Sequence, residues 1–204
     1  MKVKIRKESG YPEALLGFAL SYKDRATSDE EWITDEMLDR ADRAMGANAN
    51  RGGGHNKFRE SMVVWLDIEA ARYWWSEFDT YRVGVTKQSE SSMHTLAKRD
   101  MELADLEHTD DQHIRQYQQR LVNIFNEARV KYPAKISIQS LKALVPDSYL
   151  QRRIVCTNYQ TLANIINQRK NHRLPEWREL IEEIYNQVCN KRFLPEYPYA
   201  DKAI

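Results

Sequence analysis

Only two cysteines occur in the 204 residues, Cys156 and Cys189. They are too few and too far apart for a disulfide framework or for metal-ligand spacing. No pair among the five histidines has the i, i+4 spacing of a helical zinc site. A large surplus of either sign of charge is also missing, since 31 Lys and Arg face 30 Asp and Glu for a formal +1. Coating nucleic acid non-specifically needs a large positive excess to neutralise phosphates, so nucleic acid is an unlikely partner. Apolar runs such as Met62–Leu66 fall far short of the ~20 residues that cross a bilayer, which excludes a membrane helix. The opening Met1–Lys7 stretch is charged with no apolar run behind it and does not read as a secretory signal. A reducing, cytoplasmic setting is the expectation.

Core material is plentiful. Hydrophobic residues make up 42% and aromatics 10%, with 5 Trp and 11 Tyr, enough for one globular domain over residues 1–204. No repeat or internal boundary is visible. Val3 and Ile5 alternate with basic residues, predicting a short edge strand over Met1–Arg6. Helical spacing runs from Pro12 to Tyr22, and Thr34 offers an N-cap to a helix with Met37, Leu38, Ala41, Ala44 and Met45 on one face and Gly46 as its stop. The polar loop Gly46–Asn56 contains Gly52-Gly53-Gly54-His55, readable as a phosphate cradle or as a connection, though without the Lys-Ser/Thr ending of a P-loop.

Met62–Ile68 is nearly continuous in apolar residues and predicts a strand buried on both faces. Ala70–Tyr81 fits helix and strand equally. Ile114, Tyr117, Leu121, Ile124, Phe125 and Ala128 recur at three and four, predicting a long amphipathic helix. A further helix leads to Pro146, Arg153–Cys156 reads as a strand, and two more helices carry Tyr159, Leu162, Ala163 and Ile166, then Trp177, Leu180, Ile181, Ile184, Tyr185 and Val188. The class is mixed α/β (α+β).

Charge is unevenly placed. Arg129, Lys131, Lys135, Lys142, Arg152, Arg153, Arg169, Lys170, Arg173 and Arg178 are opposed within their span only by Asp147 and Glu176. Such a face can meet a phosphate, stay solvated, or pair with acidic groups elsewhere. Tyr73-Trp74-Trp75 reads either as core or as a stacking platform for single-stranded nucleic acid.

Two segments carry a resemblance. Gly54-His55-Asn56-Lys57-Phe58-Arg59-Glu60-Ser61, the strand after it, and the Glu69–Phe78 stretch resemble the central region of flavin-dependent thymidylate synthases. Val145-Pro146, Asn158, Leu162, Asn164, Arg169 and Glu176-Trp177 are similar to that family's Leu-Pro, Asn, Asn, Arg and Glu series at matching spacing. The resemblance implies helices around a central, largely antiparallel sheet, a homotetramer, FAD at subunit interfaces, and C1 transfer or reduction on a pyrimidine nucleotide, with folate and NADPH as further family cofactors. It implies a cofactor role for Glu60, Arg82, Asn158 and Asn164, and a substrate role for Lys142, Ser91, Gln88 and Tyr81. Arg169 matches the Arg that grips the pyrimidine and is the catalytic candidate. Asn158 also reads as a helix N-cap, and Arg169 as a surface cation near a helix end.

The pattern is incomplete. The family's Arg-His-Arg is Thr80-Tyr81-Arg82, a phosphate-binding Arg is Met93, a second is Lys142, the Glu beside Ser91 is Ser89, the His after Glu60 is Ser61, and a Gln is Glu77. A non-catalytic nucleotide-binding protein on the same fold is the alternative the substitutions imply.

Overall fold

The alternation of Val3 and Ile5 with Lys and Arg becomes strand β1 (Lys2–Ser9), at one edge of a four-stranded antiparallel sheet ordered β1-β2-β4-β3. The other strands are β2 (Val63–Ala71), β3 (Thr86–Ser89) and β4 (Leu150–Asn158). The structure, a computed structural model, describes residues 1–22, 33–48 and 56–200. Interior position explains the nearly continuous apolar character of β2: Val64, Leu66, Ile68, Ala70 and Ala71 are buried, and of its large apolar residues Trp65 is the exposed one. Asp67 is buried too, and the Arg6 guanidinium pairs with it. The β2–β4 register is antiparallel, with the Arg72 amide donating to Tyr149 O at 3.1 Å and the Tyr159 amide to Met62 O at 3.0 Å.

The helices in chain order are α1 (Tyr11–Ala19), α2 (Asp35–Asn48), α3 (Phe58–Ser61), α4 (Arg72–Phe78), α5 (Ser92–Thr95), α6 (Gln112–Val130), α7 (Ile138–Ala143), α8 (Tyr159–Arg169) and α9 (Pro175–Gln187). Thr34 Oγ1 accepts from the Met37 amide at 3.3 Å, the N-cap expected of it. Gly46 does not stop α2, which continues to Asn48; a single glycine costs a helix only about 1 kcal/mol. The Gly52–His55 segment lies outside the described residues.

Contacts divide the chain into two compact units: Met1–Lys2, Ile68–Thr80 and Gln88–Ile154 form the first, and Val3–Asp67, Tyr81–Lys87 and Val155–Ile204 the second.

In the first unit, packing resolves the ambiguous stretch that begins at Ala70: Ala70 and Ala71 end β2, and Arg72–Phe78 form α4. Trp74, Trp75 and Phe78 lie on its inner face, at most 1% exposed. Trp75 Nε1 donates to Gln151 O at 2.8 Å, and Arg153 lies 4.3 Å above the Trp75 ring while its Nη1 reaches Asp79 Oδ1 at 2.9 Å. These tryptophans are core, which removes the stacking platform. Helix α6, capped by Asp111 through the His113 and Ile114 amides, buries Gln118, Val122, Phe125 and Ala128. The expected apolar face is only partly right: Phe125 and Ala128 point inward, while Ile114, Tyr117, Leu121 and Ile124 are 41–57% exposed. The helix carries a second, uncovered apolar stripe, and the buried amide of Gln118 is satisfied by Glu107 O at 2.9 Å.

In the second unit, α9 buries Trp177, Leu180, Ile181, Ile184 and Tyr185, and α8 buries Tyr159, Thr161, Leu162, Ala163, Ile165 and Ile166. Tyr159 donates to Glu8 Oε2 at 2.5 Å. Burial, reinforced by that carboxylate, pushes the phenol well above the usual tyrosine range.

Both cysteines are free thiols. Among the described residues no helix is long and apolar enough to cross a membrane, and no group of His, Cys, Asp or Glu could hold a metal ion.

Candidate functional site

Strand β4 runs directly into α8, and the junction residue is Asn158. Its backbone is extended (φ −139°, ψ 167°), and its Oδ1 accepts from the Thr161 amide at 2.9 Å. Asn158 is therefore an N-cap, with Nδ2 left over as a donor.

The loop from Tyr81 to Gly84 meets both ends of α8. At the first turn, Thr157 Oγ1 donates to Gly84 O at 2.9 Å. Gly84 has φ +69°, and a Cβ there would stand 2.4 Å from Thr161 Oγ1 and 3.0 Å from Asn158 Nδ2. Only glycine accommodates both the left-handed backbone and this close approach. At the last turn, Arg169 Nε donates to the Tyr81 hydroxyl at 3.0 Å, and that hydroxyl donates to Gln168 Oε1 at 3.0 Å. The Arg169 guanidinium carbon lies 4.6 Å from the centre of the Trp177 ring and 5.6 Å from that of Tyr81. Trp177 is fully buried, so it offers a fixed face to a half-buried cation. The cation also stands where the helix dipole favours it.

A row of amides extends along α8. Asn56 Nδ2 donates to Gln160 Oε1 at 3.0 Å, and Gln160 Nε2 to Asn164 Oδ1 at 3.1 Å. Asn164 is exposed. Glu60 is exposed on α3, which packs against α8, and Arg82 is exposed on the loop beside Tyr81.

The second unit thus holds Glu60, Tyr81, Arg82, Asn158, Asn164 and Arg169, and direct bonds join Tyr81 to Arg169. The first unit holds the other three candidates, all exposed. Gln88 is on β3, Ser91 is the residue before α5, and Lys142 is in the last turn of α7, which packs on α5. Three members of the basic stretch are already paired: Arg129 with Asp100, Arg153 with Asp79 and Arg178 with Glu182. The imbalance read along the chain is partly cancelled by acids beyond its span.

The sequence places Trp177 in the motif series and on the apolar face of the last helix, and singles out none of Gln168, Thr157 and Gly84. Gly84, one of 7 glycines, was the one legible hint. Gln168 and Thr157 join the site only when residues 87 and 73 positions apart are brought together.

The sheet order and the helix carrying Asn158, Asn164 and Arg169 define the class: this is the flavin-dependent thymidylate synthase fold. The family described as thymidylate synthase complementing protein, Thy1, matches residues 12–195, and the chain belongs to it. A crystal structure of flavin-dependent thymidylate synthase ThyX from Helicobacter pylori with FAD and dUMP superposes at a TM-score of 0.76 and 16% identity, covering 96% of this chain and 98% of that one. A second ThyX structure from the same organism, also with FAD and dUMP, gives 0.78 and 16%, with 98% and 100% covered. The UMP/dUMP methylase PolB from Streptomyces cacaoi, bound to 5-Br dUMP, gives 0.69 and 14%, with 100% and 95% covered. No curated protein matches by sequence.

Asn158→Asp separates the cap seen here from the cofactor contact that the resemblance implies. Aspartate keeps the cap oxygen and lacks the Nδ2 donor. Urea denaturation is expected to show Asn158→Ala destabilised by about 1 kcal/mol and Asn158→Asp unchanged or better. FAD titration is expected to show both variants weakened. Full FAD affinity in Asn158→Asp would reduce Asn158 to a cap alone.

Proposed function

We propose that this chain binds FAD and a pyrimidine nucleotide at the subunit interfaces of a homotetramer, and acts in C1 transfer or reduction on the pyrimidine. The observation that carries this reading is the anchored cation: Arg169 is held between the Tyr81 hydroxyl and the face of Trp177 on the same helix as Asn158 and Asn164. Arginine presents a planar fork suited to an anionic or imide edge, and amide side chains supply the mixed donors and acceptors a flavin ring needs. The donor set on α8 fits a flavin: Asn158 and Asn164 both use Oδ1 as acceptors within the protein, which leaves their amide hydrogens to donate outward. Bound FAD would supply hydride. Asn158, Asn164, Arg82 and Glu60 would hold it, and Arg169, with Tyr81 beside it, would take the nucleotide; Lys142, Ser91 and Gln88 keep the substrate role that the resemblance implies. The ThyX structures contain FAD and dUMP, and PolB acts on UMP and dUMP. The exposed Ile114, Tyr117, Leu121 and Ile124 stripe supports assembly, because a monomer gains nothing by leaving it wet.

Standard dUMP handling is weakened. Met93 replaces one phosphate Arg and Lys142 replaces another, and a charge-assisted bond contributes about 1.5–3 kcal/mol. Losing one such bond at Met93 and the bidentate fork at Lys142 lowers affinity by on the order of 10²-fold. This favours a substrate with an altered base or phosphate state. It also favours the second reading, a nucleotide-binding protein without turnover.

Titrating the purified full chain with FAD, then with dUMP and UMP, tests the proposal, with sedimentation velocity reporting the assembly. A tetramer that takes up FAD and nucleotide is expected. A chain that takes up no FAD and releases no nucleotide on denaturation sinks both readings. Binding without turnover, in an assay with reduced flavin, folate donor and candidate pyrimidines, selects the second.

A further inference from the structure

We propose that Tyr81 is a positioning residue whose hydroxyl sets the plane of the Arg169 guanidinium for the nucleotide; this rests on the reading of Arg169 given above. Tyr81 stands at the middle position of Thr80-Tyr81-Arg82, on a loop rather than on α8. Its hydroxyl nevertheless bridges two consecutive side chains of that helix, Gln168 and Arg169, each at 3.0 Å.

Consecutive helical residues point about 100° apart, so they do not hold one another in place. A group on a facing segment must do it. The bond directions are also forced. A phenol has one hydrogen, the Gln168 Oε1 can only accept, and Arg169 Nε can only donate. With Gln168 Oε1 facing the phenol, the chain runs from Arg169 Nε–H to the Tyr81 oxygen and from Tyr81 O–H to Gln168.

Trp177 supplies the complementary constraint. Its buried ring lies under the guanidinium at 4.6 Å, and the Tyr81 and Trp177 rings meet edge to face at 6.0 Å. Stacking fixes the height of the guanidinium plane and not its rotation over the ring. The Nε–hydroxyl bond restrains that rotation. An arginine side chain otherwise carries rotamer entropy that a ligand would have to overcome on binding. A histidine in place of Tyr81 would bring a ring that can itself carry positive charge towards the cation, whereas the phenol offers an oxygen acceptor. The substitution that looks like a loss in the linear motif is, in three dimensions, a mount for the arginine.

Tyr81→Phe retains the ring and deletes the oxygen. With dUMP as the calorimetric probe, the variant is expected to bind about tenfold more weakly than the parent, with an unchanged thermal midpoint. In the ligand-free chain, the Arg169 Nε–H resonance is expected to lose its hydrogen-bonded shift, and the loss of dUMP affinity coupled to Arg169 is the signature that a merely structural role would not give. In an Arg169→Ala background, Tyr81→Phe is expected to cause no further loss. Unchanged dUMP affinity in Tyr81→Phe, with Arg169→Ala still weakened, overturns the positioning role and leaves the nucleotide reading standing. A further loss from Tyr81→Phe in the Arg169→Ala background also overturns it, because the hydroxyl would then act without the arginine. Unchanged affinity in Arg169→Ala alone overturns the nucleotide reading itself.

Discussion

Arg169→Ala is expected to weaken dUMP binding by about 10²-fold or more while the chain stays folded. The magnitude follows from the bonds lost: a guanidinium makes two parallel charge-assisted contacts, each contributing about 1.5–3 kcal/mol when its partner is ionised. The fold is spared because Arg169 is half-buried and sits in the last turn of α8. Its stacking on Trp177 contributes about 0.5–2 kcal/mol, a small share of a typical domain's stability. Arg169→Lys sharpens the test, since it keeps the charge and discards the fork, and should lose about tenfold. Calorimetry with dUMP and circular dichroism on the same preparations decide it. Parent affinity in Arg169→Ala would show that the pocket lies elsewhere.

Trp75→Ala is expected to have the largest effect on stability, about 3–5 kcal/mol. Trp75 is fully buried, and its ring contacts Trp74 at 5.0 Å and Phe78 at 5.5 Å. Truncation opens a cavity, leaves the Gln151 carbonyl without the indole N–H, and removes the surface on which Arg153 lies while it reaches Asp79. Trp75→Phe keeps most of the volume and loses the hydrogen bond, so a smaller cost of about 1–2 kcal/mol is expected. The urea midpoint of each variant reports the difference. A Trp75→Ala protein with the parent midpoint would show that α4 is a surface element, which would also reopen the stacking-platform reading.

Much of the fold was legible because periodicity is local. The apolar run of β2, the strand at Arg153–Cys156 and the helical spacing of α8 and α9 each reappear within a few residues of their expected bounds. The antiparallel arrangement came from the resemblance. Where burial had to be inferred, the reading failed in instructive places. Residues 72–78 carry bulky aromatics that fit a helix or a strand, and only packing makes them α4. Helix α6 has two apolar stripes, and nothing in its own sequence says which one the core takes.

For the candidate site, the residue types on α8 were readable and their relations were not. By itself the sequence determined the helix, its asparagines and its arginine, because each depends on neighbours within a turn. Whether Arg169 is a loose surface cation or a mounted one, and whether Tyr81 is a degraded motif letter or the arginine's support, depend on residues up to 88 positions apart. Tertiary structure alone decided these, because a hydrogen bond acts over about 3 Å of space and is indifferent to distance along the chain.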